Sequence, residues 1–302
     1  MSRVVGSVLI AIGAFLVVLA PLTRFQVAPA LIAAKADQYG ISNLRATGAQ
    51  YFSIAEGRVL TADLAITVTT RGDVKEATDD RVVWDEFTAV TDVTNNQPID
   101  FTERRSAFDK RSGVGLNCCG VSIDKEPVKL EGQIYKWPFD VEKKSYQVFN
   151  STAGKAFEAK FVGEEQVGGL TVYKFEQQVP ETKTETRTAP AAWFGMGDEG
   201  DVQLDRYYSG TNTYWIEPVT GAPVRQEQIR NEVLRSQDGV ERAKALVAHA
   251  KMTDETVKQL TDSAAESKRQ ITLIRTTIPL VLLIVGLAVL GVGAFVVIRR
   301  RS

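Results

Sequence analysis

The chain has 302 residues with a formal net charge of -1, 44% hydrophobic and 24% charged residues, a composition that suits one large folded domain or two small ones and excludes disorder. Its 36 basic residues against 37 acidic ones offer no global field for nucleic acid, so no DNA or RNA partner is expected. One histidine and two adjacent cysteines leave almost no parts for a zinc site or a histidine-dependent triad.

Residues 4–22 carry no charge, and neither do residues 276–298, which are bounded by Arg275 and by the run Arg299, Arg300, Arg301. Each stretch is long enough for a helix to cross roughly 30 Å of hydrocarbon. The second is apolar around its whole circumference. The first follows Arg3 and has two readings, a secretory signal peptide or an uncleaved anchor; Pro21 obstructs cleavage after Val18-Leu19-Ala20, which favours the anchor. Arg3 and the terminal arginines then keep both chain ends in the cytoplasm, with residues 23–275 outside the plasma membrane. The expected division is a transmembrane helix over 1–22, a β-rich exported domain over 23–237, a helical stalk over 238–275, a second transmembrane helix over 276–298, and a basic tail over 299–302.

Within the exported part, Pro29 and Gly40 bracket a short helix predicted over Ala30 to Gln38. Alternation at Leu64, Ile66 and Val68, and the runs Val82 to Val90, Phe157 to Val162 and Leu170 to Phe175, predict strands. Ser209-Gly210-Thr211-Asn212 reads as one hairpin turn and Pro218-Val219-Thr220-Gly221 as another. Thr182 to Asp201 lacks a period and is expected as a long loop carrying the pair Trp193-Phe194, which either presents itself to lipid or a partner, or folds back onto the sheet. Val240, Ala243, Leu246, Val247 and Ala250 share a helical face. Beyond the N-cap Thr253, residues Val257, Leu260, Ala264, Ser267, Ile271 and Ile274 recur at heptad-like spacing, which predicts the stalk. The fold class expected is therefore α+β: an antiparallel β-rich extracytoplasmic domain with a helical membrane-proximal stalk, flanked by two transmembrane helices.

Candidate site residues are few. Trp84 and Trp137 sit in predicted strands, where large rings fill cores or line ligand cavities; with Trp193 and Phe194 they form the candidate ligand-binding set. Cys118 and Cys119 are in an exported segment, where oxidation is expected. Three states are open to them: a vicinal disulfide fixing a turn, two buried or separately paired thiols, or a redox or metal site, although nothing nearby supplies further metal ligands. A disulfide between chain neighbours closes a strained ring of a kind that is readily reduced. His249 is expected in a helix without a catalytic role, and Arg104-Arg105 with Asp109-Lys110-Arg111 as a solvated ion-pair surface. No phosphate loop, nucleophile elbow or His-Glu-x-x-His pattern appears, so neither an enzyme nor a cofactor is expected.

In order along the chain come a terminal span, Arg105-Ser106-Ala107-Phe108-Asp109-Lys110, the Cys118-Cys119 region, Trp137-Pro138-Phe139-Asp140 followed by Lys143-Lys144-Ser145-Tyr146, then Gly169-Leu170-Thr171-Val172-Tyr173-Lys174-Phe175, the Glu217-Pro218-Val219-Thr220-Gly221 turn and a final span ending in arginines. This succession resembles the actinobacterial envelope proteins of the PorA porin family over nearly the full chain. The resemblance implies a pore and transfers no functional residues. Read from the residues themselves, the expectation is a non-enzymatic, membrane-anchored envelope protein whose exported domain binds, conveys or scaffolds an apolar lipid component; an oligomeric pore is the alternative. The expected partners are membrane lipid and either an envelope protein or further copies of the chain.

Overall fold

The computed structural model describes residues 2–197 and 199–299, the side chains of Ser2 and Arg3 excepted. They form two compact units, a β unit of residues 34–264 and a helical unit drawn from residues 1–33 and 265–302. The class is α+β: a mostly antiparallel half-barrel sheet and two helices apolar enough to span a membrane. Of the residues that set the expected orientation, Arg300, Arg301 and the side chain of Arg3 lie outside what is described.

The strands are β1 (Tyr39–Ser53), β2 (Arg58–Gly72), β3 (Arg81–Asp92), β4 (Gln97–Asp109), the two-residue β5 (Gly115–Leu116), β6 (Ser122–Ile123) and β7 (Glu126–Pro127), then β8 (Tyr146–Asn150), β9 (Lys155–Val167), β10 (Leu170–Pro190), β11 (Asp201–Glu217), β12 (Ala222–Ser236) and β13 (Glu241–Met252). They pair in the order β7-β6-β4-β3-β2-β1-β13-β12-β11-β10-β9-β8, with β5 beside β4. Period-two patterning sets the two faces. On β1, Leu44, Ala46, Ala49 and Tyr51 are buried while Asn43, Arg45 and Gln50 are exposed; on β13, Ala248 and Ala250 are buried and His249 and Lys251 exposed.

Two contacts hold the curl. Residues 132–134 bridge the sheet's ends: Gly115 N–H donates to Gly132 O at 2.9 Å, Gln133 N–H to Gln147 O at 2.7 Å and Phe149 N–H to Gln133 O at 2.9 Å. At the tip of the β10–β11 hairpin, a 3-10 turn over Ala191–Phe194 stacks Phe194 on Phe52 of β1, ring centroids 5.0 Å apart. Four strand spacings along the sheet amount to roughly 19 Å, so this contact requires strong curvature.

Four expectations are corrected. Residues 241–252 are strand β13 and not the start of a helical stalk; flanked by β1 and β12, they gain two ladders that outweigh the helix propensity of Ala, Leu and Lys. Helix α3 (Asp254–Thr272) begins after Thr253, as its cap predicts. Ser209 to Asn212 do not turn, because β11 runs straight through them and Gly210 instead gives room to the Ile229 carbonyl of β12. The loop expected over Thr182 to Asp201 is strand as far as Pro190, with Thr182, Thr184, Thr186 and Thr188 supplying an alternation. The helix expected over Ala30 to Gln38 stops at Leu31, and the following segment lies along the sheet, Ala34 N–H donating to Lys110 O at 2.9 Å and Trp84 Nε1 to Lys35 O at 3.1 Å. The hairpin at Pro218 to Gly221 forms as expected, with Gly221 at φ 67°.

In the helical unit, α1 (Ser2–Leu22) continues through a π-helical turn (Thr23–Val27) into α2 (Ala28–Leu31). Similarly, α3 continues through a π-helical turn (Leu273–Thr277) into α4 (Ile278–Ile298).

Candidate functional site

The two apolar helices meet along small residues. Gly6, Gly13 and Ala20 are buried at intervals of seven, and so are Gly293, Gly286 and Pro279. Across each π turn the interval becomes eight, Ala20 to Ala28 and Pro279 to Ile271, because a π turn inserts one residue and would otherwise rotate the seam off its partner. The packing is antiparallel and close. A Cβ on Gly13 would stand 2.6 Å from Leu290 N and 2.8 Å from Gly286 O, and one on Gly293 would stand 2.9 Å from Ile10 N. Backbone contact of this kind is how helices associate where apolar burial gives no net gain. The opposite faces expose Val8, Ile12, Phe15, Leu22, Leu280, Ile284, Leu287 and Phe295, a surface suited to acyl chains.

The sheet has the reverse character. Its exposed positions on β1, β2 and β13 include Asn43, Arg45, Gln50, Thr61, Asp63, His249 and Lys251, with Tyr39 and Ile41 exposed at the start of β1. His249 faces Glu227 of β12 at 3.3 Å and lies on a strand, not in the helix expected for it. Phe87 and Phe101, stacked at 6.2 Å, interrupt the polar surface locally. A transmembrane barrel needs a continuous outward apolar band with aromatic girdles, whereas the exposed apolar residues of the sheet, Tyr39, Ile41, Phe87, Phe101, Val162 and Ile229, stand among exposed polar and charged ones.

Inside the curl, polar pairs are built across strands. Arg104 of β4 is buried opposite Glu86 of β3 at 3.0 Å and lies over the Tyr135 ring at 4.3 Å. This corrects the solvated surface expected for Arg104. Burial works against its positive charge, but Glu86 and Tyr135 outweigh that and strengthen its hold on the proton. Arg206 of β11 bonds Glu185 of β10 at 3.0 Å, and with Arg230 of β12 it clasps Glu232, which is 1% exposed. Gln177 of β10 accepts from Asn212 Nδ2 at 3.0 Å and donates to Val148 O at 2.6 Å. Burial and the nearby Tyr208 raise the Tyr214 phenol, while the positive charge of Arg104, from the far side of the curl, lowers it; the net direction is up.

The expected site residues lie apart. Trp84 packs with Phe108, Leu130 and Phe149 in one core cluster, Trp137 with Phe175 and Ile216 in another, and Trp193 and Phe194 fold back onto Phe52, with Phe194 buried and Trp193 37% exposed. Cys118 and Cys119 are bonded to each other. One cleft, of about 160 Å³, is lined by Phe87, Ser122 and the charged residues Asp85, Glu86, Glu103, Arg104, Arg105 and Lys125. A lipid-sized site would be several times larger and mostly apolar.

Sequence reasoning missed the buried charges because each partner lies on another strand. It also missed Lys136, whose ammonium is buried 3.3 Å over the Phe139 ring centroid, with no hydrogen-bond partner among the described residues. Burial lowers its pKa to about 7, against a smaller opposing pull from Asp109. The short sequence blocks do come together in pairs. Trp137 N–H donates to Gly221 O at 2.8 Å, and Asp140 and Val141 N–H donate to Val219 and Pro218 carbonyls, so the Trp-Pro-Phe-Asp block lies on the Glu-Pro-Val-Thr-Gly turn. Within that turn, Glu217 Oε2 accepts from Thr220 N and Oγ1.

Fold and site together define a membrane protein with two apolar helices and a polar β half-barrel. The family model described as Porin PorA matches residues 5–295, and the chain belongs to that family. A relative named Porin PorA from Corynebacterium amycolatum is 28% identical over 237 residues, which are 63% of this chain and 61% of the relative. Another of the same name from Corynebacterium resistens is 25% identical over 307 residues, 75% of this chain and 74% of that one. The chain thus spans about three fifths of the first relative's length and about three quarters of the second's.

Proposed function

We propose that this chain is a non-enzymatic, porin-like envelope protein that conducts polar solutes as an oligomer, with the helices as its membrane-crossing part. The observation that carries this reading is the contrast between surfaces: the helices are apolar outward, whereas the sheet buries its apolar clusters on its inner face and turns a mainly polar outer face that suits water. A single helix pair sealed glycine to glycine leaves no path between its members, so several pairs must surround one. The arginines at the chain ends favour cytoplasmic termini and an exported half-barrel, with the plasma membrane as the bilayer crossed. The names of the two relatives support the pore. Lipid carriage, the first expectation from sequence, gains nothing from a cleft this small and charged. The test is reconstitution of the purified full-length protein in planar bilayers. Reproducible conductance steps are expected; silence at protein densities where oligomers are demonstrated by cross-linking would refute the proposal.

A further inference from the structure

Cys118 and Cys119 are half-exposed and bonded to each other. Cys119 is held at φ 62° and Gly120 at φ 72°, the left-handed region that a non-glycine residue enters at a cost. That turn aims the Cys119 carbonyl at β4, where it accepts from Arg105 Nε at 2.9 Å. The rest of the guanidinium reaches two carboxylates: Nη1 donates to Asp85 of β3 at 2.8 and 3.0 Å, and Nη2 to Asp73, in the β2–β3 connection, at 2.8 Å. Asp73 N–H donates in turn to Val83 O at 2.8 Å. Arg105 and Asp85 both line the charged cleft. A guanidinium held at all three nitrogens by three separate groups is a rigid connector, so whatever fixes the Cys119 carbonyl also fixes the β2–β3 connection and the cleft wall.

We propose that Cys118–Cys119 is a thiol–disulfide exchange site, with a dithiol as its redox partner, and that its oxidation state sets the grip of Arg105 on Asp73 and Asp85. A thiolate of the dithiol attacks one sulfur of the pair, forming a mixed disulfide and releasing the other sulfur as a thiolate that takes a proton. The second thiolate of the reductant then attacks the reductant's own sulfur in the mixed disulfide, closing the reductant's disulfide and releasing the first protein sulfur as a thiolate that takes a proton, so two electrons and two protons pass to Cys118 and Cys119. Without the ring, Cys119 relaxes from positive φ and its carbonyl leaves Arg105. The exposure of the pair makes it accessible to such exchange. This inference does not depend on pore formation.

The test treats the folded full-length protein in micelles with dithiothreitol, alkylates it with iodoacetamide and follows amide hydrogen exchange by mass spectrometry. Both cysteines are expected to become alkylated. Exchange over residues 73–85 and 117–123 should quicken by at least about tenfold, the weight of one charge-assisted hydrogen bond, while β10 and β11 keep their protection. Arg105→Lys, which keeps the charge but not the fork, should quicken residues 73–85 without reductant. The proposal is overturned if the bond survives dithiothreitol at levels that reduce the urea-unfolded protein, or if reduction leaves residues 73–85 unchanged. Loss of protection across the whole sheet would equally overturn it, since the bond would then be only a staple.

Discussion

Lys136 shows how burial sets a charge at the scale of one residue. Its neighbours are the Phe139 ring and, more weakly, Asp109, and desolvation lowers its pKa from the usual 10.5 to about 7. Between those two values the unfolded chain binds a proton that the folded chain does not, so stability rises with pH across that window and its shortfall is complete below about pH 7. Lys136→Met should therefore be more stable than the parent at pH 7, by roughly 2–4 kcal/mol, and the difference should shrink toward zero by about pH 10.5. Urea unfolding of both proteins at a series of pH values checks this; a difference that does not change with pH would contradict the assignment. In sequence Lys136 is one lysine among many. Its burial follows from the Trp137–Asp140 segment docking on the Pro218–Gly221 turn, a contact between residues some eighty positions apart in the chain.

Among elements, the helix pair makes the sharpest prediction. Gly13 and Gly291 are both helical glycines, but a Cβ at Gly13 would meet the partner backbone, while one at Gly291 would meet nothing within 4 Å. Gly13→Leu should weaken the pair by about 1–3 kcal/mol through overpacking, and Gly291→Leu should leave it intact. Nitroxide labels at Val5 and Ile298, which occupy matching ends of the antiparallel pair, should broaden each other's spectra in the parent and in Gly291→Leu but not in Gly13→Leu. Equal broadening in all three would show that the seam is not the glycine one. The two apolar stretches were legible as helices from hydrophobicity alone, whereas the seam was not, since its sevenfold interval breaks at the π turns, which hydrophobicity does not register. Strands were legible where β-branched residues alternate, as at Leu64 to Val68. They were hidden where threonines alternate with charges, as at Thr182 to Thr188, or where Ala and Leu imitate a helical face, as in β13. At Gly210, a turn-forming residue type serves close strand approach instead, a choice made by the neighbouring strand.

For the molecule as a whole, the account rests on a division of labour between helices facing lipid and a sheet facing water. The two apolar helices, the β-rich body and the family resemblance were legible in the amino-acid sequence, because each depends on local composition or contiguous blocks. The character of the sheet's interior was not, because Glu86 with Arg104 and Arg206 with Glu185 and Glu232 become pairs only through cross-strand register. The most direct test places single nitroxide labels on the protein in lipid bilayers at Val8 and Leu287 on the helices and at Thr61 and Lys251 on the sheet. The native cysteines are already bonded to each other, so each label reports from one introduced thiol. Collisions with oxygen, which concentrates in hydrocarbon, should dominate at Val8 and Leu287, and collisions with a water-soluble nickel chelate at Thr61 and Lys251. A lipid signature at Thr61 or Lys251 would mean that the strands themselves cross the bilayer, and the account would be wrong.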